Sequence, residues 1–234
     1  MTSSGLSVRR LSDDELRGRS RSGTVAVKPA KLDFTRAESD LYSMPEGFGV
    51  VDAPARSFLA IDTHGSPRTC EDYRVATEAL YAAVYGAKLR NKDLVRRGAP
   101  GVDGAARTDF SVPPLERIRG ELTRATVDDA RWTLLLRVPS WIADDEIADA
   151  LERVEVSKSL PAVARVYRTS HPERTYLQTG VTGSWSRSLI PVSKATAVEL
   201  RERGLVAAPE WYEACLDNAD LAADQPRYIL RRRV

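Results

Sequence analysis

From Arg131 to Val138 apolar residues fall on alternate positions. Trp132, Leu134, Leu136 and Val138 share one face, and Thr133, Leu135 and Arg137 the other, which is the period of a strand. Pro139 closes it. Residues 57–63 repeat the pattern, with Leu59 and Ile61 set against Ala60 and Asp62, before His64-Gly65-Ser66-Pro67 turns the chain. Between these strands the period lengthens. Ala76, Ala79, Leu80, Ala83, Val84 and Ala87 recur at helical spacing behind Glu71 and Asp72, acids suited to a helix N-terminus. Residues 91–109 are polar and contain glycine, and predict a surface loop. A strand is expected from Phe110 through Val112-Pro113-Pro114-Leu115-Glu116, its prolines suiting an edge or a strand start. A second helix is predicted from about Ala143, with Asp144, Asp145 and Glu146 in its first turn. Ile147, Ala150, Leu151 and Val154 make its apolar stripe.

Beyond Pro161 the order of elements repeats. Residues 162–169 and 174–181 predict strands joined around Ser170-His171-Pro172. Residues 192–203 predict a helix ended by Gly204, and 211–216 and 227–232 the last two strands. The fold class is therefore α+β: duplicated β-α-β-β halves, about 50–160 and 161–234, forming a largely antiparallel curved sheet. Helices cover one face and a ligand groove occupies the other. A concave groove at a repeat interface is where a small molecule binds. Residues 1–25 are rich in Ser and Arg and are expected to be a mobile segment, leaving 26–234 as the folded domain.

Composition narrows the classes. The 234 residues are 42% hydrophobic and 29% charged with a formal net charge of +2, an ordinary globular balance without the concentrated basic charge of a nucleic-acid binder. Asp13, Asp14 and Glu15 interrupt the basic N-terminal stretch, and no helix-turn-helix fits the first 50 residues, so no specific nucleic-acid partner is expected. No apolar run reaches the ~20 residues of a membrane span, and no signal-peptide core is present, which makes a cytoplasmic location the expectation. Cys70 and Cys215 stand far apart without metal-ligand neighbours and read as free thiols, so neither a metal nor another cofactor is expected.

Several segments together resemble the GyrI-like small-molecule-binding family. They are Phe58-Leu59-Ala60-Ile61-Asp62-Thr63-His64-Gly65; Glu78-Ala79-Leu80-Tyr81 through Tyr85 to Lys88; Pro114-Leu115-Glu116; Arg131 through Pro139; and Ile229-Leu230-Arg231-Arg232. The likeness is densest from Phe58 to Pro139. It implies a duplicated β-α-β-β fold that binds hydrophobic, often cationic, compounds. Members of that family occur as effector domains of drug-responsive regulators and as stand-alone proteins. The latter include gyrase inhibitors and hydrolases that open the cyclopropane ring of DNA-alkylating natural products. The chain is similar to the stand-alone form. It departs from the family after Leu115-Glu116, where Arg117, Ile118 and Arg119 replace aromatics. It departs again at Thr179 to Trp185, where the family's His-x-Gly-Pro-Tyr and following acids have no counterpart beyond Trp185.

Glu210-Trp211-Tyr212 matches the family's Glu-x-Tyr, and strand period puts Glu210 and Tyr212 on one face. A carboxylate beside a phenol in an apolar groove has two uses. It can neutralise a bound cation, or it can activate a water while the phenol donates to a leaving oxygen. Glu213 offers an alternative alignment. Tyr81 and Tyr85, four apart on the helix, read either as core packing or as rings closing a pocket. Tyr85, Glu116, Trp141, Trp185, Glu210 and Tyr212 are thus the candidate ligand-binding residues, and Glu210 and Tyr212 the candidate catalytic pair. His64 and His171 lie in predicted turns and are expected to face solvent. The readings that remain open are a binder of a small hydrophobic ligand, a hydrolase of a strained drug-like electrophile, and an inhibitor of a protein partner.

Overall fold

The computed structural model describes residues 31–120, 130–183, 185–217 and 225–234, the side chains of residues 185–187 and 189 excepted. The segment expected to be mobile, 1–25, lies outside the described residues. Among the described residues, eight strands form one antiparallel sheet: β1 (Gly49–Ala53), β2 (Arg56–His64), β3 (Glu116–Arg119), β4 (Arg131–Val138), β5 (Tyr167–His171), β6 (Arg174–Thr182), β7 (Trp211–Cys215) and β8 (Arg227–Arg233). Five α-helices of the described residues accompany them: α1 (Phe34–Ala37), α2 (Ser39–Tyr42), α3 (Glu71–Arg96), α4 (Asp144–Lys158) and α5 (Trp185–Glu202).

The strand order, β1-β6-β8-β7-β3-β4-β2-β5, contains the expected duplication. Each half supplies a three-stranded unit, β2-β4-β3 and β6-β8-β7, and β3 pairs antiparallel with β7 at the centre. The short strand preceding each half crosses to the other: β1 pairs with β6, and β5 with β2. This exchange forces curvature. β1 lies at one edge and β2 next to the other, and in a flat sheet they would stand about 29 Å apart. Only two residues, Pro54 and Ala55, join them, a reach of about 11 Å. Pro172 and Glu173 make the matching crossover between β5 and β6. The sheet therefore curls until its edges meet at the two proline crossovers.

Strand period sorts the side chains onto the two faces. On the convex face Leu59, Ile61, Leu134 and Leu136 are buried against Ala76, Leu80, Ala83 and Val84 of α3. In the second half Val181, Trp211 and Leu230 pack with Val192 of α5. Phe58, Ala60 and Leu135 face the concave side. None of the described helices is long and apolar enough to cross a membrane.

Several boundaries differ from expectation for identifiable reasons. α3 runs on to Arg96 through residues read as loop, because polar Asn91 is buried and bonded rather than solvated. Its Nδ2 donates to the Thr108 carbonyl at 2.9 Å, and its Oδ1 accepts from Arg107 and from the Trp141 indole, each at 3.2 Å. β3 begins only at Glu116, after the prolines. Residues 161–165 form a 3-10 turn, which moves the next strand to Tyr167–His171. α5 starts at Trp185, ahead of Pro191 rather than behind it. β1 and the one-turn helices α1 and α2 were too short to leave a period. These two helices also depart from the expectation of helices on one face only, since α2 lies on the concave side.

Candidate functional site

The concave face is built twice from the same plan. Counted from the Pro54 and Pro172 crossovers, Arg56 opens β2 and Arg174 opens β6, followed by Phe58 and Tyr176. Register through β4 and β8 then brings Glu116 of β3 and Tyr212 of β7 to matching positions. Arg56 Nη1 donates to both Glu116 oxygens at 3.1 Å, and Arg174 Nη1 donates to the Tyr212 hydroxyl at 3.0 Å. One arginine position serves a carboxylate in the first half and a phenol in the second.

The first of these pairs is sealed. Arg231 from β8 approaches Glu116 Oε2 at 3.6 Å, and the Tyr42 hydroxyl donates to Glu116 Oε1 at 2.7 Å. Arg56, Glu116 and Arg231 are all buried. Burial pushes the Glu116 carboxyl up, but the Arg56 and then the Arg231 guanidinium more than offset this and hold it below the usual carboxylate range. Around them stand Phe58, Tyr176, Tyr212 and His171, with ring centroids 5.0 Å apart for Phe58–His171 and 5.2 Å for Tyr176–Tyr212. His171 corrects the expectation of a solvent-facing turn. It ends β5, is buried, and its edge meets Tyr212 at 6.2 Å. Burial, with Arg174 and Arg56 nearby, lowers its pKa to about 4, so it is neutral at pH 7.

The second pair is less enclosed: Arg174 is half-buried and lines a cavity of about 770 Å³ beside Pro54 and Pro172 at the crossovers. A cavity of about 850 Å³ lies at the end of the concave face, lined among others by Asp62, Thr133, Ile118, Arg119, Trp132 and Glu210. Glu210 immediately precedes β7 and shares the concave parity of Tyr212. Its Oε2 is buried with no hydrogen-bond partner among the described residues. The Tyr212 phenol is raised above its ordinary value by burial, against the pull of Arg174, and the Glu210 carboxylate adds to the rise. Glu213 has the opposite parity. It points into the layer between sheet and helices, buried and ion-paired with Arg117, whose guanidinium also donates to the Tyr73 hydroxyl at 3.2 Å.

The other sequence candidates fall elsewhere. Tyr85 is half exposed on α3. Trp141 sits in the helix layer, bonded to Asn91. Trp185 begins α5, and its side chain lies outside the described residues. His64 is exposed, with Nδ1 3.3 Å from Asp72. Cys70 and Cys215 are free thiols, and burial pushes Cys215 up to about 11. Sequence reasoning missed Arg56, Arg231, Tyr42 and Tyr176. The two Arg-x-aromatic openings, Arg56-Ser57-Phe58 and Arg174-Thr175-Tyr176, each two residues after a proline, were a signal for the repeated plan.

No family model matches the chain, and no curated protein matches it. Solved structures do. A hydrolase of Listeria innocua encoded by lin2189 is 25% identical over 87% of this chain and 98% of that one, with a TM-score of 0.72. A second hydrolase structure from Listeria innocua is 25% identical over 86% and 98%, with a TM-score of 0.69. The likeness to these structures shows the fold, and the curled eight-stranded sheet of the described residues agrees with the fold that the resemblance to GyrI-like proteins implies. The EcmrR C-terminal domain is a more distant likeness, at 7% identity over 80% of this chain and 95% of that domain, with a TM-score of 0.44.

Proposed function

We propose that the chain binds a hydrophobic, cationic organic molecule in the open cavity at the end of the concave face, with Glu210 as its polar determinant. The observation that carries this reading is the buried Glu210 Oε2 without a hydrogen-bond partner among the described residues. A carboxylate oxygen removed from water and given no donor is costly, and a cationic or donor group on a ligand supplies what is missing. Of the other carboxylates on this face, Glu116 is engaged by Arg56 and Arg231 and Asp62 accepts from the Thr133 and Tyr167 hydroxyls, so a cation finds its unengaged counter-charge at Glu210. Ile118, which shares the concave face and the same lining, offers apolar surface to the rest of the ligand.

A hydrolase is the second reading. It is favoured by the shared parity of Glu210 and Tyr212 and by two similar structures described as hydrolases. Here Glu210 would activate water and Tyr212 would donate to the leaving oxygen of a strained electrophile. Glu210→Gln separates the readings while keeping the side-chain shape. A binder should lose about 1.5–3 kcal/mol toward cationic ligands and almost nothing toward neutral ones, read by calorimetric titration. A hydrolase should retain binding and lose turnover of a cyclopropane-containing compound. Binding and turnover both unchanged would reject Glu210.

A further inference from the structure

The concave face contains a second polar centre that the chain itself occupies. Residues 33–46 cross the groove as a strap, and the buried Tyr42 side chain reaches Glu116 from it. The phenol donates to Glu116, Gln178 Nε2 donates to the Asp40 carbonyl at 2.8 Å, Arg231 donates to the Leu41 carbonyl, and Arg137 pairs with Glu38. Phe34 and Leu41 add buried apolar surface. The secondary structure of the strap is weak. α1 and α2 are four residues each, and α2 has no side-chain cap at its N-terminus. Helices this short do not hold without their tertiary contacts.

Tyr42 fills this centre without completing it. One carboxylate faces two buried guanidiniums, which leaves an excess positive charge out of water. Arg231 Nη1, Arg56 Nε and His171 Nδ1 are all buried and lack hydrogen-bond partners among the described residues. A neutral phenol satisfies Glu116 but brings neither charge nor an acceptor to the unused donors. We infer that the Tyr42 position is a latent ligand site for a hydroxyaromatic carboxylate, and that the strap is its internal competitor. The ligand's hydroxyl takes the place of the Tyr42 hydroxyl on Glu116, its ring lies among Phe58, Tyr176 and Tyr212, and its carboxylate meets the spare donors of Arg231 and Arg56. This site differs from the cation site at Glu210 in place and in charge preference.

The test uses the whole chain and three probes of matched ring: a hydroxynaphthoate, its methyl ether, and a naphthyl trimethylammonium. The hydroxynaphthoate should bind and accelerate amide exchange across residues 38–44 by at least about tenfold, because those amides lose their native contacts. The methyl ether should bind at least about tenfold more weakly, since it cannot donate to Glu116. Tyr42→Ala should tighten hydroxynaphthoate by about tenfold or more, as removing an internal competitor raises the competent fraction. Gly180→Ala is a second route to the same end. A Cβ there meets Met44 and the Pro45 carbonyl at 2.9 Å, so it dislodges the strap without touching Tyr42 or Glu116, and it should also tighten binding. Failure of hydroxynaphthoate to bind the wild type and both variants would overturn the inference. So would binding that leaves strap exchange unchanged. Loss of hydroxynaphthoate binding in Glu210→Gln would move the ligand to the open cavity and overturn the latent site alone. Failure of the ammonium probe in wild type would instead strike the reading at Glu210.

Discussion

The two halves place an arginine at the same point of the concave face and give it different partners. Arg56 meets Glu116 under Tyr42 and Arg231, whereas Arg174, half-buried at the proline crossovers, meets Tyr212 alone. Duplication fixed the cation and the curvature, and the two partner positions then diverged. A charged partner requires a sealed, multiply bonded surrounding, because a buried charge is tolerated only when its lone pairs are met. A phenol needs one hydrogen bond and does without such an enclosure. The sealed pair of the first half therefore concentrates electrostatic stability, and the pair of the second half carries less of it.

The largest expected effect breaks that contrast at its centre. Glu116→Ala leaves Arg56 and Arg231 buried without a counter-charge and should cost about 3–5 kcal/mol of folding stability in urea denaturation. A loss under about 1 kcal/mol would mean that the guanidiniums reach water, and the distinction between halves would fail.

A smaller effect belongs to His171, which lies between the two pairs. Its pKa falls from 6.5 in the unfolded chain to about 4 in the fold. Between these values the unfolded chain binds more protons, so stability is lost as pH falls through this window and levels off below about 4. Between pH 7 and pH 5 the expected loss is about 2 kcal/mol. His171→Phe, which keeps a ring beside Phe58 and Tyr212, should remove that slope. Glu116 acts lower still: its depressed pKa makes its contribution disappear only as pH falls below the ordinary carboxylate range. A slope unchanged in His171→Phe would assign the pH dependence to carboxylates.

Much of the fold was legible because its long elements carry a clear period. The alternation in β4 and the 3.6-residue recurrence in α3 each bury a continuous face, and the repeated order around Pro161 exposed the duplication. What stayed hidden was polar or short. Asn91 looked like loop because its burial depends on partners at Thr108, Arg107 and Trp141, remote in sequence. The exchange of β1 and β5 between halves depends on pairing that no local pattern encodes. Glu210 and Tyr212 were found through strand parity and resemblance. Arg56, Arg231 and Tyr42 were missed because charged residues and a tyrosine ordinarily read as surface or rim, and only the curled sheet brings them around Glu116.

The smallest expected effect sharpens the comparison from the second half. Tyr212→Phe removes the acceptor of the Arg174 hydrogen bond and keeps the ring against Tyr176 and His171. Arg174 is only half-buried, so its freed N–H can turn to water. The variant should lose no more than about 1 kcal/mol of stability, the net worth of one ordinary hydrogen bond. Glu116→Ala, at the equivalent position of the other half, should cost several times as much. If the second reading of the site is right, Tyr212→Phe should nonetheless slow turnover by about 10²-fold or more, because the phenol would be the proton donor. A stability loss equal to that of Glu116→Ala would make the second half as much an electrostatic anchor as the first. The phenol would then be tied to structure, and the divergence of the two halves would need another cause.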